Sequence, residues 1–324
     1  MSSLKIKKTS ALAAFGLFAA ALYAYFISQH VFFWRYAHDS SDIHNYIRNF
    51  DRLDTFLFYR LNSWVDFFSN EVAFHYLYQS MSHSLGDPLV ALQVISAVSV
   101  ALATYSIFPR VVSSFPVFIF VLHPRLLDLF SSQQRFALAI SLFIFILVLN
   151  PKWFRMPLIA SVAFIHSFFS IIFALTFAFS RLSEKSSTLS KYLLLAACAA
   201  FIVVAREFLL LSIGDRRADA HQGAAVGGLY LLMFIGTYFV VFLTNRRIVD
   251  EIFGFMFSFV AMLAMLSSIA GFYSERFFSA SILLFLAFAA RNRVNSLGLI
   301  VPVLVLNIIL SYHFWIRSMG LGLS

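Results

Sequence analysis

Charge is what this sequence has least of. Asp, Glu, Lys and Arg make up 12% of its 324 residues, about half the roughly 25% of a soluble domain. With 61% hydrophobic residues and a mean hydropathy of +0.84, that deficit argues against a soluble core and for a membrane protein. Cysteine is nearly absent. Cys198 stands alone inside "YLLLAACAAFIVVA", which excludes a disulfide framework and a Cys-based metal site and reads as a packing thiol. Acidic residues number 15 against 24 basic ones, a net charge of +9. The distribution of that excess argues against nucleic acid as a partner, because the basic residues fall in short clusters between apolar runs, as in cytoplasmic loops. No domain linker, internal repeat or low-complexity tract interrupts the pattern.

What is present is apolar and aromatic, with Phe occurring 41 times. After "MSSLKIKKTS" an apolar run extends from Ala11 to about Phe33. It is longer than a signal-peptide core and lacks a small-residue cleavage site, so it reads as an uncleaved first span. Lys5, Lys7 and Lys8 place its start in the cytoplasm. Further clusters at Arg110, Lys152 with Arg155, Arg181 with Lys185 and Lys191, Arg246 with Arg247, and Arg291 with Arg293 also read as cytoplasmic. Between them lie apolar runs over 88–108, 113–128, 135–149, 192–213, 225–243, 252–270, 277–290 and 294–313, several shorter than the ~20 residues of a full crossing. The expectation is one polytopic domain over 1–324, an all-α integral membrane bundle of roughly 9–11 transmembrane helices.

Two segments depart from the alternation. "EVAFHYLYQSMSHSLGDP", from Glu71 to Pro88, is too polar for a span. Glu71, His75, Gln79 and Ser82 share one helical face, and such a stripe must face protein or water. It reads as a helix dipping in from the outer side. The second segment, 156–179, has basic clusters on both flanks, so two short half-helices meeting near His166 and Ser167 satisfy the charge rule. Such a tip is tolerated only inside protein or beside a wet cavity. An outer loop over 34–87 also carries Leu57, Leu61, Trp64, Val65 and Phe68 on one stripe, the pattern of an interfacial helix. Parity then brings the 34–70 loop, Arg135, His166, the "GDRRADAHQG" loop (Arg216, Arg217) and Arg276 to the outer side.

The run "SSQQRFALAISLFIFIL" followed by "PKWFRMPLIASVAFIHSFFSIIFAL" resembles the EpsG/Wzy-type polysaccharide polymerases. Those chains carry an Arg four residues before an Ala, as Arg135 precedes Ala139, then a basic loop, then a His-Ser element, as at His166 and Ser167. "SDIHNY" (Asp42, Tyr46), "NEVAFHYL" (Glu71) and "YSERFFSASILLF" (Arg276) follow the family order. The resemblance covers about 39–290; Phe136 and Phe168 stand where the family has Gln and Ala. It implies a bacterial inner-membrane glycosyltransferase of GT-C-like fold that joins undecaprenyl-diphosphate-linked oligosaccharide repeat units at the periplasmic face. The product would be O-antigen, capsule or exopolysaccharide. The bilayer, a chain-length regulator and a flippase are the further partners expected, and no metal or cofactor.

Such a reaction must neutralise a departing diphosphate and deprotonate an acceptor hydroxyl. Arginine forks suit the first task, and a carboxylate or imidazole the second. Arg135 and Arg276 are the expected diphosphate clamp, with Arg216 or Arg217 assisting, and Gln134 and Tyr46 as further substrate contacts. The base candidates, in order, are Glu71, His166, Asp42 and Asp39. Structural alternatives stand beside each role. Arg135 has Asp128 seven residues earlier on the same helical face, and Glu71 sits where a carboxylate caps a helix. His166 has the alternative of a turn histidine, Asp42 and Tyr46 of loop stabilisers, and Arg206 with Glu207 of an internal ion pair. His123 reads as a helix-end residue. His38 and His44 beside Asp39 and Asp42 match a metal pattern that so polar a loop produces by chance. A flippase or a membrane acyltransferase are the competing functions. The first needs cations through the membrane depth, the second a His facing the cytoplasm.

Overall fold

The computed structural model describes residues 2–37, 41–48, 50, 71–111, 120–149, 152–182, 186–213, 228–271, 275–292 and 305–313, and every regular element among them is helical. In chain order, α1 (Ser2–Phe26) continues through a π-helical stretch, Ile27–Val31, into α2 (Phe32–Ala37). Then come α3 (Ser41–Arg48), α4 (Val72–Leu85), α5 (Pro88–Val111), α6 (Pro124–Ser132), α7 (Gln134–Leu149), α8 (Lys152–Val162) and α9 (Phe169–Leu182). The remainder are α10 (Thr188–Ile213), α11 (Gly228–Thr244), α12 (Ile252–Ile269) and α13 (Glu275–Arg291), with a further helical stretch over 305–313. Helices are the natural solution for such apolar runs, because each satisfies its backbone groups internally.

Four described helical segments are long and apolar enough to cross a membrane: Ala14–Ala37, Pro88–Phe108, Thr188–Ala205 and Ile252–Ile269. The bent pair Pro124–Ser132 and Gln134–Val148 makes a fifth if taken as one span. That is compatible with a membrane bundle. Among the described residues, Phe169–Arg181 and Leu231–Thr244 form shorter apolar helices. The expected span 113–128 lies partly outside the described residues, as does 294–313. The interfacial helix over 57–68 lies wholly outside them.

The chain forms two compact units, Met1–Phe115 with Leu127–Ala174, and Pro116–Leu126 with Leu175–Ser324. In the first, α5 is central, and α1, α4 and α7 all pack against it. Phe32, Phe74, Tyr78, Leu92, Ile95 and Leu138 form the core. The polar stripe of α4 faces inward as its spacing predicts: Glu71, His75 and Ser82 are buried, while Tyr76, Leu77 and Ser80 are exposed. The helix axis turns by 108° between α6 and α7, and side chains bond to the backbone around the break. Ser131 and Ser132 bond back to the carbonyls of Leu127 and Asp128, which weakens the regular ladder. Carbonyls at the break find other donors, Phe130 O from Ser96 Oγ at 2.6 Å and Ser131 O from Gln134 Nε2 at 2.6 Å.

In the second unit α12 packs against α10, α11 and α13. A 3-10 turn, Ile248–Asp250, lies so close to α12 that a Cβ on Gly254 would sit 2.0 Å from the Ile248 carbonyl oxygen. Lys191 bonds Asp250 at 2.7 Å and Arg291 meets Glu251 at 3.4 Å. Basic residues from two clusters that the charge pattern assigns to one side thus meet acids at one end of this unit. Glu251 caps α12, accepting from the N–H groups of Phe253 and Gly254. Burial nonetheless raises its pKa above the ordinary carboxylate value, against the opposing pull of those bonds and of Arg291. A raised folded-state pKa means the folded chain binds the proton more tightly than the unfolded one. Its contribution is therefore full below the ordinary carboxylate pKa and is lost as pH rises through the raised value. Thermal unfolding in detergent from about pH 4 to pH 7 should show that downward slope in the wild type and a flatter profile in Glu251→Gln.

Candidate functional site

In the first unit Arg135 and His166 both meet Glu71. This residue precedes α4 with φ 53° and ψ 44°, the only non-glycine with positive φ among the described residues. For a side chain of this size the left-handed region costs about 1–2 kcal/mol, and such strain persists where the surroundings impose a geometry. Glu71 occupies the N-cap position of α4 yet makes no side-chain cap bond. Its carboxylate instead turns to the beginning of α7, where Oε2 accepts from Arg135 Nη1 in a short ion pair.

The other carboxylate oxygen faces the turn between α8 and α9. Glu71 Oε1 lies 3.4 Å from His166 Nδ1, and 3.4 Å from both the Ser167 N–H and the Ser167 hydroxyl. These contacts are longer than good hydrogen bonds, so the carboxylate is held firmly on the arginine side and loosely on the histidine side. The Phe168 N–H approaches the same imidazole nitrogen at 3.3 Å. The two contacts select opposite tautomers. When Nδ1 carries the proton it donates to Glu71, and Nε2 then holds the lone pair; when Phe168 donates to Nδ1, Nε2 carries the proton. Phe136 packs edge-on against the imidazole with ring centroids 5.0 Å apart, and the Tyr46 ring lies 5.3 Å from the Arg135 guanidinium carbon, a cation–π contact.

Exposure separates the roles. The Glu71 side chain is 3% exposed, against 19% for Arg135 and 15% for His166. The cation and the imidazole are therefore the groups within reach of a ligand, and the carboxylate stands behind both. Glu71, expected first among the base candidates, lies between Arg135 and His166 and is the most buried of the three.

Other expected residues are distributed as follows. Gln134 is fully buried, its amide donating to the Ser131 carbonyl. Asp128 is not the partner of Arg135; it pairs with Arg35 at 2.8 Å and accepts from Ser132 and Gln133. Arg276 belongs to the second unit, in the first turn of α13, beside the Arg125–Glu275 pair at 2.9 Å. His123, also in that unit, is fully buried with Nε2 3.0 Å from Asn307 Oδ1 and Nδ1 accepting from the Arg125 N–H, a structural arrangement. Asp42 lies in α3, with its side chain outside the described part of the structure. Asp39, His38, Arg216 and Arg217, and the side chains of Arg206 and Glu207, also lie outside it. Arg35 is the residue that the sequence reading missed. It ends a long apolar run, and a charge in that place is the only signal it offered.

No family model matches this sequence, and neither a curated protein nor a solved structure matches it.

Proposed function

We propose that this chain is a bacterial inner-membrane glycosyltransferase that polymerises undecaprenyl-diphosphate-linked oligosaccharide repeat units at the periplasmic face. The observation that carries the reading is the grouping of a partly exposed arginine and a partly exposed imidazole around one buried carboxylate. On this reading the acceptor hydroxyl gives its proton to His166 Nε2 while its oxygen bonds the anomeric carbon of the donor sugar. The bond from that carbon to the diphosphate oxygen breaks, and the electron pair leaves with the diphosphate. Arg135 faces the charge that appears there. A guanidinium carries five donors in a planar fork, a geometry that matches phosphate oxygens as well as a carboxylate. When the imidazole carries its proton on Nδ1, Glu71 is the carboxylate that faces it and Nε2 is the basic nitrogen, the role a carboxylate plays behind a catalytic imidazole. Tyr46 and Phe136 bound the site with ring surfaces, which limits water around the developing charge.

The test is deletion of the protein from its native cells, with the surface glycan sized by gel. Loss of the ladder with single repeat units still displayed is the expected result. A surface stripped even of single units would favour the flippase reading, and an intact ladder would remove the polymerase.

A further inference from the structure

The helix that begins at Ser2 does not keep α geometry to its end. Through Ile27–Val31 it is a π-helix, with the Phe32 N–H reaching back to the Ile27 carbonyl. A π turn takes up extra chain without adding a turn, so each inserted residue rotates the later side chains by about 100°. Gln93 on α5 supports this irregular turn, donating from Nε2 to the Ser28 carbonyl at 3.2 Å.

Arg35 lies four residues beyond the π stretch. It meets Asp128 at 2.8 Å, with side chains only 14% and 8% exposed. Asp128 serves several donors at once. Its Oδ1 also accepts from Ser132 Oγ at 2.9 Å, and its Oδ2 from Gln133 Nε2 at 3.0 Å. Gln133 is the residue between α6 and α7 where the axis turns, and Arg135 is the second residue of α7. The carboxylate that gathers the break is thus itself held by Arg35.

We infer that Arg35 and Asp128 are a positioning pair that fixes the break at Gln133 and so aims the Arg135 guanidinium. This inference rests on the reading of Arg135 as the cation that meets the diphosphate. The chemistry favours a charged hub here. An ionised carboxylate is acceptor-only, so it takes the Arg35, Ser132 and Gln133 donors together. An amide in its place would turn an NH2 toward one of those donors. A buried ion pair adds little stability over an apolar pair of similar size, whereas it fixes directions that an apolar pair would leave loose.

The experiment uses full-length protein in liposomes, supplied with undecaprenyl-diphosphate-linked repeat units extracted from a strain lacking it. Asp128→Asn should lower kcat about 10- to 100-fold, the scale of a misplaced catalytic group, with KM little changed. In an Arg135→Lys background the same substitution should cost far less, because the two act through one group. Arg35→Gln with Asp128→Asn, which removes both charges, guards against a variant that fails to fold and should show the same kcat loss. A wild-type kcat in Asp128→Asn and in the neutral double variant would overturn the inference, as would full additivity with Arg135→Lys. Wild-type turnover in Arg135→Lys itself would instead remove the reading of Arg135, and the inference with it.

Discussion

Arg135→Ala is expected to collapse the glycan ladder to single repeat units. Two effects combine in that outcome. A preorganised cation that meets a departing charge typically supplies about 2.7–4 kcal/mol, or 10²–10³ in turnover. The same substitution strands the Glu71 carboxylate, which is 3% exposed, and breaking a buried pair from one side costs roughly 3–5 kcal/mol. Catalysis and folding must therefore be separated. Arg135→Met with Glu71→Gln removes both charges together and should recover membrane abundance without recovering the ladder. A ladder restored by that double variant would mean that Arg135 serves the fold alone.

His166→Ala is expected to cut the rate of repeat-unit joining by about 10²–10⁴-fold, the usual contribution of a positioned general base, while abundance stays near wild type. The expectation differs from that for Arg135 because His166 sits at a turn, 15% exposed, and its contact to Glu71 is a long 3.4 Å. Its removal leaves the Arg135–Glu71 pair intact. Glu71→Gln should lie between wild type and His166→Ala in rate, since an amide can still meet the imidazole but holds neither its proton nor Arg135 as a carboxylate does. Initial rates in membranes at matched protein level would check both. An unchanged rate in His166→Ala would return this residue to a plain turn histidine and move the base elsewhere.

Much of the arrangement can be read from one-dimensional patterns. The spacing of Glu71, His75, Gln79 and Ser82 marks the inward face of α4. The charge clusters around 156–179 call for a break near His166, where α8 ends at Val162 and α9 begins at Phe169. What escapes such reading is partnership, because helical arithmetic assumes an unbroken 3.6-residue helix. Seven-residue spacing puts Asp128 beside Arg135 only if the helix runs straight, and it turns by 108° between them. The true partner, Glu71, is 64 residues away. Its carboxylate reaches Arg135 from a left-handed backbone position that glutamate rarely adopts, and no local propensity announces that. Arg35 is hidden for a related reason. The π stretch before it alters the face on which it falls, and no feature of "ISQHV" signals the change.

On the proposed reading, the Arg135, Glu71 and His166 grouping drives glycosyl transfer from a lipid diphosphate. The most direct measurement uses purified protein in liposomes loaded with undecaprenyl-diphosphate-linked repeat units, following glycan length and released undecaprenyl diphosphate together. The wild type should release one undecaprenyl diphosphate for each new glycosidic bond, with both signals lost in Arg135→Ala. Elongation that proceeds undiminished in Arg135→Ala, or a well-folded wild type that releases no undecaprenyl diphosphate, would contradict it.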